Sequence, residues 1–423
     1  MVYLRGHRND FDNWAAQGAS GWGYEGVLPY FKKMETVEGK DPYYRGTSGP
    51  MRPKIAADPN PLSQVFLDAA KKLGYPLTDD FNGATQEGAG WHELTIVDGK
   101  RQSTAVAYLH PVEDRPNLTV YTNAYARHLT FDGKRCTGVE YERGGSVETA
   151  TAEAEVIVSA GAFNSPQLLL LSGVGPTDHL REVGVDMVHE LPGVGGNLHS
   201  HPLLGLVFEA DEEIAPGKAN HGEASMLWRS NPSLSGPDMQ FVFIHVPFHP
   251  PHLQAPPNSY TFGIATIPNG RGWVRLASAE PKAAPLINLN FLGEDSDVRR
   301  LLLGIEKARE LNATSAFSVW GTREVLAGED VRDEAGLRDF IARGTGSYYH
   351  PVGTCKMGVD DEAVVDPELR VHGLEGLRVA DASVMPTTVC VNTNAAAIMI
   401  GEKAADLVLR SGADRRQGAV EKA

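Results

Sequence analysis

Apolar residues at Val65, Phe66, Ala69, Ala70 and Leu73 recur at the three- and four-residue spacing that lines one face of a helix. Asn60-Pro61 supplies the start signal and Gly74 the stop. The same patterning predicts helices over 295–311 and from about 395 to 410, with Gly412 beyond the second and a polar, frayed tail after it. Residues 1–34 read as a loop followed by a short helix near 27–31. Strand-like runs at 118–121 and 138–141, with the turn Phe131-Asp132-Gly133-Lys134 between segments, predict a small antiparallel flap. Residues 154–161 read as a buried strand entering a glycine turn, and Ser165-Pro166 as the start of a helix through Leu171, which makes an α/β unit. From 204 to 317 the pattern turns to strands, at 240–246 and 260–267, with a hairpin expected at Asn269-Gly270-Arg271-Gly272 before Trp273. No internal repeat or low-complexity segment interrupts this order.

With 423 residues, the chain has enough length for two or three domain-sized cores. Its 54 acidic residues against 39 basic ones leave a net charge of −15, which repels a polyanion, so nucleic acid is not an expected partner. Apolar runs such as 168–171 and 395–400 fall far short of the ~20 residues that span a bilayer, so no transmembrane segment is expected. Cys136, Cys355 and Cys390 are too few and too scattered for a disulfide framework or a zinc site, which fits a reducing, cytoplasmic setting.

Candidate chemistry concentrates near the end. Ser347-Tyr348-Tyr349-His350-Pro351-Val352-Gly353-Thr354 is followed later by Val391-Asn392-Thr393-Asn394, which opens an alanine-rich helix. A histidine titrates near neutrality and can act as base and then acid, whereas an asparagine can only orient or donate. Gly21-Trp22-Gly23-Tyr24-Glu25-Gly26 matches a dinucleotide fingerprint on paper. No strand precedes it and two bulky aromatics occupy the turn, so it is rejected as a phosphate site. His199-Ser200-His201 lacks a third ligand, so it reads as structural and no metal is expected. Cys390 reads as a buried, inert thiol.

The segment Gly161-Ala162-Phe163-Asn164-Ser165-Pro166-Gln167 through Gly175 resembles the second sequence pattern of the glucose-methanol-choline oxidoreductases, with every constrained position met. Tyr3 to Trp14, Gly193 to Leu198 and the His350 and Asn392 segments are also similar to that family, so the resemblance covers essentially the whole chain. It implies an α/β (α+β) fold: an incomplete FAD-binding Rossmann-like domain and a second, substrate domain built on an antiparallel sheet. The expected division is 1–60, 100–200 and 346–423 for FAD, and 61–99 and 201–345 for substrate. By position, His350 is implied as general base and Asn392 as its partner. Ala126, Asp381, Ala382, Asn392, Thr393 and Asn394 are implied along the FAD. Asp381 also reads as an ordinary turn residue, and Thr393 or Asn394 as a helix cap. Tyr348 and Tyr349 are expected to wall the pocket.

The implied reaction is oxidation of a small-molecule alcohol to an aldehyde or ketone, with oxygen or a quinone as electron acceptor; a homodimer is compatible with this. An alcohol hydroxyl lies roughly 9 pKa units above an ordinary imidazole, so proton removal has to be assisted in place. A hydroxynitrile lyase using the same proton-handling site and an inactive truncated fragment are the alternatives. The family's first strand, glycine-rich turn and phosphate-binding helix have no counterpart in the sequence, which leads to an expectation of weak or absent FAD binding by the chain as written.

Overall fold

Alternation along Met239–Ile244 sends Phe241 and Phe243 to one side of a sheet and Gln240, Val242 and Ile244 to the other. In the computed structural model, which describes residues 1–420 and side chains through Gly412, this strand sits inside a seven-stranded antiparallel sheet. The order is Arg323–Leu326, Pro202–Glu209, Ser259–Thr266, Met239–Ile244, Gly222–Trp228, Gly88–Trp91, and Thr345–Ser347 also pairs with Pro202–Glu209. The aromatic face is closed by helices. Phe66 stacks on Phe243 with ring centroids 5.0 Å apart, and Phe208, Tyr260, Phe262 and Phe317 continue the cluster. The opposite face is aliphatic and glycine-rich.

Eight α-helices occur among the described residues: α1 (Arg8–Ala16), α2 (Tyr24–Lys33), α3 (Pro61–Lys72), α4 (Gly161–Leu171), α5 (Thr177–Val183), α6 (Asp295–Asn312), α7 (Glu334–Gly344) and α8 (Asn394–Val420). Helices α3 and α6 cover the aromatic face, and Gly304 lets α6 come close, since a Cβ there would lie 2.3 Å from Ile264. A second hydrophobic core gathers α1, α2, α4 and α8 around the parallel pair Val156–Val158 and Leu377–Val379. Ala124–Asp132, Arg135–Arg143 and Ser146–Thr151 form the antiparallel flap beside it.

Several expectations need correction. Arg8–Ala16, read as loop, is helix α1: the His7 ring accepts from the Asn9 N–H, Asp10 accepts from the His7 N–H, and Phe11 and Trp14 are buried. A histidine N-cap hides that signal from a Ser/Thr/Asp/Asn search. The run 118–121 forms no strand, and pairing begins at Ala124 instead. The strand expected to be buried over 154–161 is shorter, Val156–Val158, and its Ile157 is 44% exposed because Leu377–Val379 is its one paired neighbour among the described residues. Residues 269–272 do not close a hairpin, since Trp273–Arg275 pairs with Leu286–Asn288. The Asp297 carboxylate takes the turn instead, accepting from the N–H groups of Asn269 and Gly270. Helix α8 runs past Arg410 to Val420 instead of ending before Gly412.

Helix α4 begins at Gly161, four residues before the expected start, so Pro166 falls inside it. Proline lacks the N–H that would bond the Ala162 carbonyl. The Thr354 hydroxyl donates to that carbonyl at 2.6 Å and repairs the gap. The loop after His350 is thereby tied to the helix that opens the second core.

Candidate active site

His350 reaches the site through a distortion in strand pairing. Pro202 lies opposite Ser347 and Leu203 opposite Gly346, yet His199 pairs with Val352, so the later arm carries two extra residues. Tyr349 takes them up in the left-handed region at φ 62, a conformation that costs a non-glycine residue about 1–2 kcal/mol. The bulge turns the imidazole inward, and the His350 N–H donates to Ser200 Oγ at 3.2 Å.

Asn392 is held from another direction. Asp10 of α1 accepts from the Cys390 N–H at 2.9 Å, and Trp14 Nε1 donates to the Thr387 carbonyl at 2.9 Å, so α1 anchors the loop leading to Asn392. Burial pushes the Asp10 carboxyl up to about 6, against two N–H donors that favour its charged form. Thr393 and Asn394 stand at the start of α8, and the Thr393 carbonyl accepts the first helical bond from the Ala397 N–H.

The two arms meet. Asn392 Nδ2 lies 3.2 Å from His350 Nε2, and His350 Nδ1 lies 3.0 Å from His201 Nδ1. An amide nitrogen only donates, so Nε2 is the acceptor, Nδ1 carries the proton, and that proton points at His201. Gln240 Nε2, 3.4 Å from Asn392 Oδ1, supports this amide orientation. All three residues are buried. Burial first, and then the neighbouring His201, hold the His350 pKa well below the usual imidazole value. Burial likewise pushes His201 down to about 4, opposed by the Val389 backbone. Both rings are therefore neutral at physiological pH.

The histidine pair at 199 and 201 splits. His199 matches the structural reading: Nδ1 bonds the Asn197 carbonyl at 2.7 Å and Nε2 accepts from the Thr388 N–H at 2.8 Å. His201 contacts more than its own turn, with Nδ1 3.0 Å from His350 Nδ1. Its neighbour Ser200 serves the site too.

A cavity of about 910 Å³ joins these groups. Gly161, Ala162, Ala382, Thr393, Asn394 and Ala397 line one side, and Leu203, Val242, Ile244, Val246 and Phe248 the other, with His350 and Asn392 where the two meet. Tyr348 is partly buried against the aliphatic wall and its hydroxyl is pushed up to about 12 by burial, opposed by Asn392. Tyr349 also lines the cavity but is 79% exposed, at the mouth. Ala126 is elsewhere, in a separate cavity of about 350 Å³ beside Ala160, Asn164 and Gln167. Asp381 is absent from both linings: Oδ2 accepts from the Gly161 N–H at 2.9 Å and Ser165 Oγ at 2.6 Å, and Oδ1 from the Ser383 N–H at 2.7 Å. It fixes the turn into α4. Cys390 is buried and its thiol is pushed well up by burial, which keeps it protonated.

Buried neutral histidines make stability depend on pH. Burial pushes His92, His201 and His245 to about 4 and His199 to about 3, and His350 is also lowered. In the unfolded chain each titrates near 6.5, so below that pH the unfolded state binds more protons and stability falls, by up to about 1.4 kcal/mol per pH unit per histidine. Raised Asp10 opposes this with one proton between its unfolded value near 3.8 and about 6. The urea midpoint is expected to be near level around pH 7 and to drop steeply from about 6.5 toward 4. A midpoint unchanged from pH 7 to pH 5 would contradict it.

Comparison with known proteins gives a consistent set of matches. The family model for the N-terminal part of GMC oxidoreductases matches residues 1–203, and that for the C-terminal part matches 268–401. An oxygen-dependent choline dehydrogenase of Sinorhizobium medicae is 40% identical over 97% of this chain and 79% of its own length, and one of Brucella ovis is 39% identical over the same shares. Pyridoxine 4-oxidase from "Mesorbium loti" superposes with a TM-score of 0.92 at 31% identity, covering 96% of this chain and 81% of that one. An Aspergillus oryzae formate oxidase variant, studied for FAD modification, has a TM-score of 0.88 at 25% identity over 98% and 82% of the two chains. No helix among the described residues is long and apolar enough to cross a membrane.

Proposed function

Because the chain belongs to the GMC oxidoreductase family, we propose that it oxidises an alcohol to an aldehyde or ketone with FAD as cofactor and His350 as the base. The observation that carries this reading is the chain of contacts from His201 through His350 to Asn392, with His350 and Asn392 both lining the cavity.

The residues present fit a flavin. Gly161 has φ 82, and a Cβ placed on it would meet nothing within 4 Å, so the small residues of the α4 turn leave open space beside the start of α8. Ala162, Ala382, Asn392, Thr393 and Asn394 would line the ring system, with the α8 N-terminus offering partial positive charge to its electron-rich edge. The cavity at Ala126 would take the adenine end, and Asp381 would act indirectly by holding the turn at Gly161. When bound, the flavin supplies the hydride acceptor.

The protein's own part is proton handling. His350 Nε2 accepts the hydroxyl proton while Asn392 Nδ2 donates to the oxygen as negative charge grows there. The imidazolium then formed is stabilised through its Nδ1–H by the His201 lone pair. The oxygen-dependent relatives support oxygen over a quinone as final acceptor. The test is anaerobic mixing of the FAD-loaded protein with a panel of alcohols: loss of the oxidised flavin absorbance is expected. Cyanohydrin cleavage without any bleaching would replace oxidation by a lyase reaction.

A further inference from the structure

The wall opposite the flavin-facing turn says what kind of alcohol fits, an inference that rests on the oxidation reading above. Leu203, Val242 and Ile244 are buried and form, with Ala265, a small apolar cluster on which Val246 and Tyr348 pack. They occupy the aliphatic face of the seven-stranded sheet, and all but Ala265 line the cavity. Among the described residues, no aspartate or glutamate lines it, and the one charged side chain that does is Arg101.

The acidic groups closest to this lining are hydrogen-bonded: Asp381, beside Ala382, accepts from the Gly161 N–H, Ser165 Oγ and the Ser383 N–H. Glu223 follows the lining residue Gly222; its Oε2 accepts from the Asn60 N–H at 2.7 Å and from Ser63 Oγ at 3.3 Å, its Oε1 has no partner, and burial pushes its carboxyl up, toward the neutral form. Asp10, behind the Asn392 loop, spends Oδ2 on the His7 and Cys390 N–H groups.

We propose that the substrate is an uncharged alcohol whose hydroxyl-bearing carbon carries a branched aliphatic or aryl group, and that the site discriminates against quaternary ammonium alcohols. A buried cation without a counter-charge loses hydration that aliphatic walls do not replace. Tyr348 and Phe248 are the aromatic side chains beside that wall, too few for an aromatic cage, and Tyr349 stands in solvent at the mouth. The proton-transfer step adds to the discrimination: His350 becomes positive in the same cavity, and a fixed ammonium nearby opposes it. An apolar group gains on both counts by displacing water from Leu203, Val242, Ile244 and Val246.

Choline and its uncharged isostere 3,3-dimethylbutan-1-ol separate charge from shape. With the FAD-loaded protein, the isostere is expected to show a kcat/KM about 100-fold above that of choline, and a lower Kd by calorimetry. Half-buried Val246 tolerates a longer side chain, so Val246→Glu is expected to cut that preference at least about tenfold while Val246→Gln keeps it. Equal or better binding and turnover of choline by the unaltered protein would overturn the proposal, as would binding of neither compound at millimolar concentration. Tight binding of the isostere without flavin bleaching would uphold the pocket chemistry and sink the oxidation reading instead.

Discussion

His350→Ala is expected to lower the rate of anaerobic flavin reduction about 10²–10⁴-fold, the range typical for loss of a positioned base. Substrate affinity should change little, because the removed ring contributes a lone pair that matters as the hydroxyl proton leaves. Two further readouts separate this from general damage. The residual rate should climb about tenfold per pH unit as hydroxide replaces the base, and added imidazole should restore part of it. In the unaltered protein the rate should show no histidine inflection near 6.5, since burial and His201 hold the His350 pKa well below that value. His201→Leu removes the acceptor behind Nδ1 and should cost less, while shifting the pH profile. Near-normal flavin reduction by His350→Ala would remove this residue from the mechanism.

Arg45→Met is expected to cost about 3–5 kcal/mol of stability, the usual result of removing one partner from a buried ionic cluster. Arg45 is 1% exposed and bonds Glu35 through Nε at 2.8 Å, Asp80 at 2.7 Å and Glu93 at 2.6 Å. Burial pushes both glutamates up; at Glu35 the guanidiniums of Arg5 and Arg45 outweigh it, whereas Glu93 stays raised despite Arg45. Removing Arg45 leaves Arg5 for Glu35 and no guanidinium for Glu93. The cluster fastens the segment after α2 to Glu93–Leu94, which pairs with Val2–Tyr3 at the edge of the cavity. Chemical denaturation measures the effect, and a loss under about 1 kcal/mol would show that the cluster relaxes or takes in water.

What could be read from the chain differs by element for physical reasons. Helix α3 announces itself because its cap, proline and apolar spacing are all local. The strands Met239–Ile244 and Ser259–Thr266 are legible as strands, but Gly88–Trp91, which joins the same sheet by pairing with Gly222–Trp228, is hidden, since glycine and alanine carry little pattern and only the sheet explains them. His350 and Asn392 stand out through the motifs around them. His201, beside His350, does not, because that contact depends on a pairing partner almost 150 residues away and on a bulge at Tyr349. The Thr354 bond that accommodates Pro166 is equally non-local, and without it a proline looks like a helix start.

The bulge at Tyr349 also sets what can vary independently. The placement of His350 against His201 is decided by main-chain pairing between 199–204 and 345–352, whereas Val242 and Ile244 reach the cavity from a strand on the far side of Ser259–Thr266, and Val246 from just beyond its end. Exchanging those aliphatic side chains reshapes the cavity without touching the backbone that places His350. On the proposed function, selectivity and reactivity are thereby separable by mutation, so a chain of this architecture can drift between substrates with its proton-transfer step unchanged.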